Sequence, residues 1–139
     1  MAERSLFSVS VVTPERSVFD GDAEMIVVPG EDGEIGVLAR HVALEALLKA
    51  GSTRIHVSGG EVIELATGPG FFEVHSNRAL VLVDDAVDLR EIDAGRAIAQ
   101  LEEARAELGR LERGEIEGDR WRIEQKIKHA ENQLAVAGH

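Results

Sequence analysis

The stretch LVLVDDAVDLREIDAGRAIAQL, running from Leu80 to Leu101, decides the fold, because the spacing of its apolar residues changes midway. As far as Val87 the repeat is the period of two that marks strands with one buried face. At Asp88 that pattern stops. Asp88 stands three residues before Glu91, the spacing of an N-cap and its capping-box acid, so a helix is expected to open there. Beyond it Ile98, Leu101, Ala104, Leu108 and Leu111 recur at steps of three and four and draw one apolar stripe. Gly114 and Gly118 bracket a loop of about five residues, and Asp119 is placed to cap a second helix. There Ile123, Ile127, Ala130, Leu134 and Ala137 draw a second stripe. Residues 88–139 therefore read as an antiparallel α-helical hairpin, a docking arm in expectation. Its stripes are narrow and rich in alanine, so the pair is expected to be marginal unless it packs on something else.

Upstream, residues 1–87 read as an all-β domain. Phe7, Val9 and Val11 alternate with Ser8 and Ser10, and Ile55 and Val57 alternate with Arg54, His56 and Ser58. Met25 to Val28 is apolar enough on both faces to be a central strand. Short runs at Val62–Leu65, Phe71–Val74 and Leu80–Val83 follow. Turn chemistry separates them, with Gly59-Gly60 and Ser76-Asn77 reading as hairpin turns. Strands this short and this evenly punctuated predict a β-sandwich or barrel.

Composition narrows the function. The chain has 139 residues, 26 acidic against 15 basic, and a net charge of −11. Such a balance excludes a nucleic-acid role, which needs a cationic face, and an anionic membrane surface is equally disfavoured. The first 87 residues carry 14 acidic and 6 basic side chains, and the rest carry 12 and 9, so basic residues concentrate in the hairpin. There is no cysteine, hence no disulfide, thiolate metal site or thiol nucleophile. Met1 to Ser5 is polar, which does not resemble a signal peptide, and no apolar run approaches the roughly 20 residues of a membrane span. A soluble protein that meets a membrane only through a partner is expected.

Candidate chemistry is sparse. His41, His56, His75, His129 and His139 form no i, i+4 pair and no HxH, so no metal site is expected. Asp84 and Asp85 mimic an acid/base pair in sequence, but neighbours on a strand face opposite ways. Ser58-Gly59-Gly60 lacks the helix that follows a nucleophile elbow. The glycines of Gly30-Glu31-Asp32-Gly33-Glu34-Ile35-Gly36 suggest a phosphate loop, yet no lysine and no helix follow. The better account is a tight surface loop presenting carboxylates. No catalytic residue is assigned.

That loop, continued through Val37-Leu38-Ala39-Arg40-His41, resembles the G-x-x-G-E-[LI]-G-[IV]-L-x-x-H signature of the epsilon subunit of F-type ATP synthases, named delta in mitochondria. Phe7 to Pro14 followed by Val18-Phe19-Asp20-Gly21 is similar to the family's first hairpin, V-x-x-P-E-R-x-[VL]-F-x-G, and Gly68 to Val74 to its GGF-x-EV stretch. The likeness covers essentially the whole chain. It implies a non-catalytic rotor subunit of a proton-translocating ATP synthase. The subunit would grip the gamma subunit, rest on the polar loops of the c-ring, and reach the alpha and beta subunits of the catalytic head through extended helices, restraining ATP hydrolysis. By matching position, Glu34 would face the c-ring with Glu31 and Asp32 beside it, and His41 would lie at the stalk interface. The implied location is peripheral, on the cytoplasmic face of a bacterial inner membrane.

Some members bind ATP through an [IL]-D-x-x-R-A motif, matched here by Ile92-Asp93-Ala94-Gly95-Arg96-Ala97, so Asp93 and Arg96 are candidate nucleotide ligands. ATP is then a regulatory ligand, and no other cofactor is implied. The arginines that such binders carry further along both helices are replaced here by Glu103, His129 and Gln133, and the family's H-A-P turn by His41-Val42-Ala43. Two other functions fit the residues less well. One is a stand-alone ATP-sensing module that closes its hairpin on nucleotide. The other is a small hydrolase using Asp84 or Asp85.

Overall fold

The computed structural model describes residues 5–138, so the opening read at residues 1–4 and the histidine at position 139 lie outside it. Ten strands come first: β1 (Phe7–Val12), β2 (Ser17–Ala23), β3 (Met25–Gly30), β4 (Gly33–Leu38), β5 (Leu44–Leu48), β6 (Gly51–His56), β7 (Val62–Thr67), β8 (Gly70–His75), β9 (Arg78–Val83) and β10 (Ala86–Asp88). Two helices follow, α1 (Ala94–Glu112) and α2 (Arg120–Val136). The architecture is the expected β-sandwich with a helical hairpin after it. The contacts divide the chain into a unit ending at Leu89 and one beginning at Arg90.

Hydrogen bonding runs β10-β7-β6-β3-β5-β8-β9-β1-β2, with β4 on the other side of β3. β3 is the strand read as apolar on both faces, and it holds the sandwich together. Its Met25–Val27 pairs with β6, its whole length pairs with β4, and at Gly30 it passes to Leu48 of β5. All the assigned pairings are antiparallel except β1 with β9. Alternation then fills the core. Phe7, Val9 and Val11 of β1, Ile26 and Val28 of β3, Phe72 and Val74 of β8, and Ala79, Val81 and Val83 of β9 are all buried in one cluster. Thr53 and Thr67 are buried as well, their hydroxyls in one hydrogen bond of 2.9 Å, and the Thr67 hydroxyl lies 3.5 Å from the Gly51 carbonyl it can donate to.

Both expected hairpin turns form: Gly59 and Gly60 have φ of +88° and +84°, Ser76 and Asn77 of +50° and +59°. In the two-residue Ser76-Asn77 turn, positive φ at both positions matches the twist of the flanking strands.

The structure corrects three sequence-based expectations. First, Gly33–Leu38 is a strand and only Glu31 and Asp32 turn, because Ile35 and Val37 pair with Val28 and Ile26 across β3. Second, Asp88 does not cap the helix. Its backbone pairs with Leu65 in β10, a 3-10 turn spans Leu89–Glu91, and Asp93 is the N-cap, accepting the Arg96 N–H. Third, Ile98 is 43% exposed, and Ala97 takes its place beside Leu101. Small Ala94 and Ala97 admit α2 closely, and the hairpin core joins them and Leu101 to Ile127, Ala130 and Leu134. Between the helices, residues 113–119 form a loop slightly longer than expected. Gly114, with φ of +72°, ends α1: its N–H reaches the Leu111 carbonyl and that of Glu115 the Arg110 carbonyl, the double closure of a Schellman motif. Asp119 caps α2 as expected, through the Trp121 N–H.

Candidate interaction sites

The β3–β4 turn projects Glu31 and Asp32 into solvent, beside a shallow open recess lined by Ile35, Glu45 and Leu47. Glu34 behaves differently. It lies on β4 opposite Pro29, and its carboxylate accepts both guanidinium nitrogens of Arg54 at 2.9 and 3.4 Å. Arg54 reaches it from β6, across the width of β3. Both side chains are partly exposed, so the fork contributes at most about 1 kcal/mol. It fixes where the carboxylate sits.

His41 occupies the turn between β4 and β5, half-buried, its Nδ1–H donated to the Val42 carbonyl at 2.7 Å. Val42 beside it is 75% exposed.

Sequence reasoning missed a surface that register alone creates. Val12 of β1 pairs with Leu82 of β9, Leu82 with Phe71 of β8, and Phe71 with Leu47 of β5. All four point away from the core residues that alternate with them, so an apolar row crosses four strands on the outer face. Leu47 and Leu82 are 57% and 43% exposed, Phe71 and Val12 half-buried. The next row is Glu45, Glu73, Leu80 and Ser10, with Asp20 of β2 at its end. Placing Glu45 directly opposite Glu73 is unfavourable in isolation. A solvated sheet face is ordinarily polar, so this arrangement fits a partner that brings apolar and basic groups together. The signal was present in Leu80-Val81-Leu82-Val83, apolar at every position where one buried face needs only alternate ones.

In the hairpin unit, Asp93 Oδ1 is engaged as the helix cap at 3.1 Å from the Arg96 nitrogen, and the Arg96 residue is exposed. At the loop end Arg120 bonds Glu112 of α1 at 2.9 Å and Glu124 of α2 at 2.8 Å. The Glu124 bond foremost, then the charges of Glu112 and Glu124, raise the Arg120 pKa above its ordinary value. Trp121, next to it, is 65% exposed. Asp84 and Asp85 belong to the bend between β9 and β10, where backbone bonds tie them to Pro69 and Gly68. Among the described residues no helix is long and apolar enough to cross a membrane.

Residues 6–89 match the family model for the ATP synthase delta/epsilon chain, β-sandwich domain. The chain belongs to the ATP synthase delta/epsilon family. Relatives extend the likeness through the hairpin. The ATP synthase epsilon chain of Rubrobacter xylanophilus is 37% identical over 137 residues, covering 96% of this chain and 92% of that one. That of Dichelobacter nodosus is 36% identical over 125 residues, covering 88% and 85%. In fold, the chain also superposes on a chain of the Euglena gracilis mitochondrial ATP synthase, with a TM-score of 0.65 at 22% identity, covering 98% of this chain and 80% of that one.

Proposed function

We propose that this chain is the epsilon-type subunit of the central stalk of a proton-translocating F-type ATP synthase, non-catalytic and peripheral to the cytoplasmic face of a bacterial inner membrane. The apolar row Leu47–Phe71–Leu82–Val12, bordered by Glu45 and Glu73, carries the reading. It supplies an apolar strip with carboxylates beside it, the complement of a gamma-type shaft bearing apolar and basic side chains. Glu31 and Asp32 at the β3–β4 tip, with Glu34 fixed by Arg54, are the groups assigned to the c-ring loops. His41 and Val42 extend the shaft contact.

The test is co-purification with a gamma-type subunit. Leu82→Asp, on an outward position, should leave the sandwich folded and abolish retention of the shaft. Retention at wild-type level by that variant would remove the proposal's main support.

The hairpin is assigned a restraining role, with its helices extending toward the alpha and beta subunits of the head. Ending the chain at Leu89 keeps β10 whole and should raise ATP hydrolysis by the reassembled complex; an unchanged rate would argue against restraint. A regulatory ATP would meet the Arg96 guanidinium and the second carboxylate oxygen of Asp93. Calorimetric titration decides this, and absence of heat at millimolar ATP would end the assignment.

A further inference from the structure

We propose that Asn77 is a positioning residue that sets the shape of the shaft-binding turn Arg40–Val42 from the far side of the sandwich sequence. The proposal rests on the stalk reading above. Asn77 belongs to the β8–β9 turn, and its side chain leaves that turn to bind two distant segments. Its Oδ1 accepts the Arg40 N–H at 2.7 Å, and its Nδ2 donates to the Leu6 carbonyl at 3.4 Å. Its own carbonyl accepts the Ser8 N–H at 3.2 Å. Two stretches remote from it in sequence, Leu6–Ser8 and Arg40, therefore converge on one asparagine.

Arg40 explains why such a clamp is needed. Its φ is +62°, a region that L residues other than asparagine and aspartate rarely enter. The backbone bond to Asn77 and a guanidinium bond to Ser5 Oγ at 3.2 Å hold it there. Asn77 itself has φ of +59°, which asparagine tolerates, so one residue serves its own turn and the neighbouring one. The segments it ties together carry Leu6, Leu38 and Val42, exposed by 42%, 50% and 75%. Released from Asn77, Arg40 has every reason to relax to negative φ, and the peptide carrying His41 and Val42 rotates with it.

Two variants of the full chain separate the clamp from the turn it sits in. Asn77→Gly keeps the positive φ and removes the side chain. Asn77→Asp keeps the acceptor for Arg40 and loses the donor to Leu6. Hydrogen exchange at the Arg40 amide should accelerate about five- to tenfold in Asn77→Gly, the worth of one hydrogen bond, and stay near wild type in Asn77→Asp. Exchange at the core amides of Phe72 and Val81 should not change in either. Affinity for the purified shaft subunit should fall by a similar factor in Asn77→Gly and be largely kept in Asn77→Asp. Unchanged Arg40 exchange in Asn77→Gly overturns the clamp. Faster exchange with unchanged affinity, while Val42→Asp does weaken binding, overturns the positioning role and leaves the stalk reading standing. If wild-type protein binds no shaft subunit, the stalk reading falls and the inference falls with it.

Discussion

Gly70 opens β8 with its α-carbon against β9, where a Cβ would overlap the Leu82 carbonyl oxygen and stand 2.8 Å from Val83 Cα. Backbone cannot yield as a flexible side chain does. Gly70→Ala is therefore expected to cost at least about 2 kcal/mol, read as a lowered urea midpoint with unchanged slope. Phe72, fully buried at the centre of the same strand, should cost about 3–5 kcal/mol on truncation to alanine. Which residues face inward was legible in the sequence wherever apolar and polar positions alternate, as in Phe7-Ser8-Val9-Ser10-Val11. Where both faces are apolar, as in Leu80–Val83, the inward set could not be told from the outward one. That ambiguity hid Leu82.

At the scale of elements, the helices announced themselves by their stripes, but not by their starts. Two aspartates, Asp88 and Asp93, compete for the cap within six residues, and only tertiary pairing of Asp88 with Leu65 settles the matter. Asp93→Ala and Asp119→Ala should each cost about 1 kcal/mol of helix stability, seen as faster amide exchange in the first turn of α1 or α2. β4 was illegible for a related reason: Gly33 and Gly36 disguise a strand whose partners lie in β3. The Arg120 contacts give a further expectation. Its folded pKa is raised, so its contribution is complete below the unfolded value and lost only as pH climbs through the still higher folded value. Protection of the loop-end amides around Arg120 should thus be insensitive to alkali up to about pH 9. Added salt should weaken it, since these pairs are exposed.

For the whole molecule, a net charge of −11 should steer association with a basic shaft partner. The association rate should fall steeply as ionic strength rises, and the dissociation rate much less, in stopped-flow measurements. The order of the two units was readable from one change of periodicity. The outer apolar row proposed for binding was not, because Leu47, Phe71, Leu82 and Val12 come from four separate segments and become neighbours only through strand pairing. The chain's single tryptophan is Trp121, exposed at the start of α2, and there is no tyrosine. Near-ultraviolet emission therefore originates at one spot on the arm, so its quenching and polarisation can follow the hairpin through assembly without any attached dye.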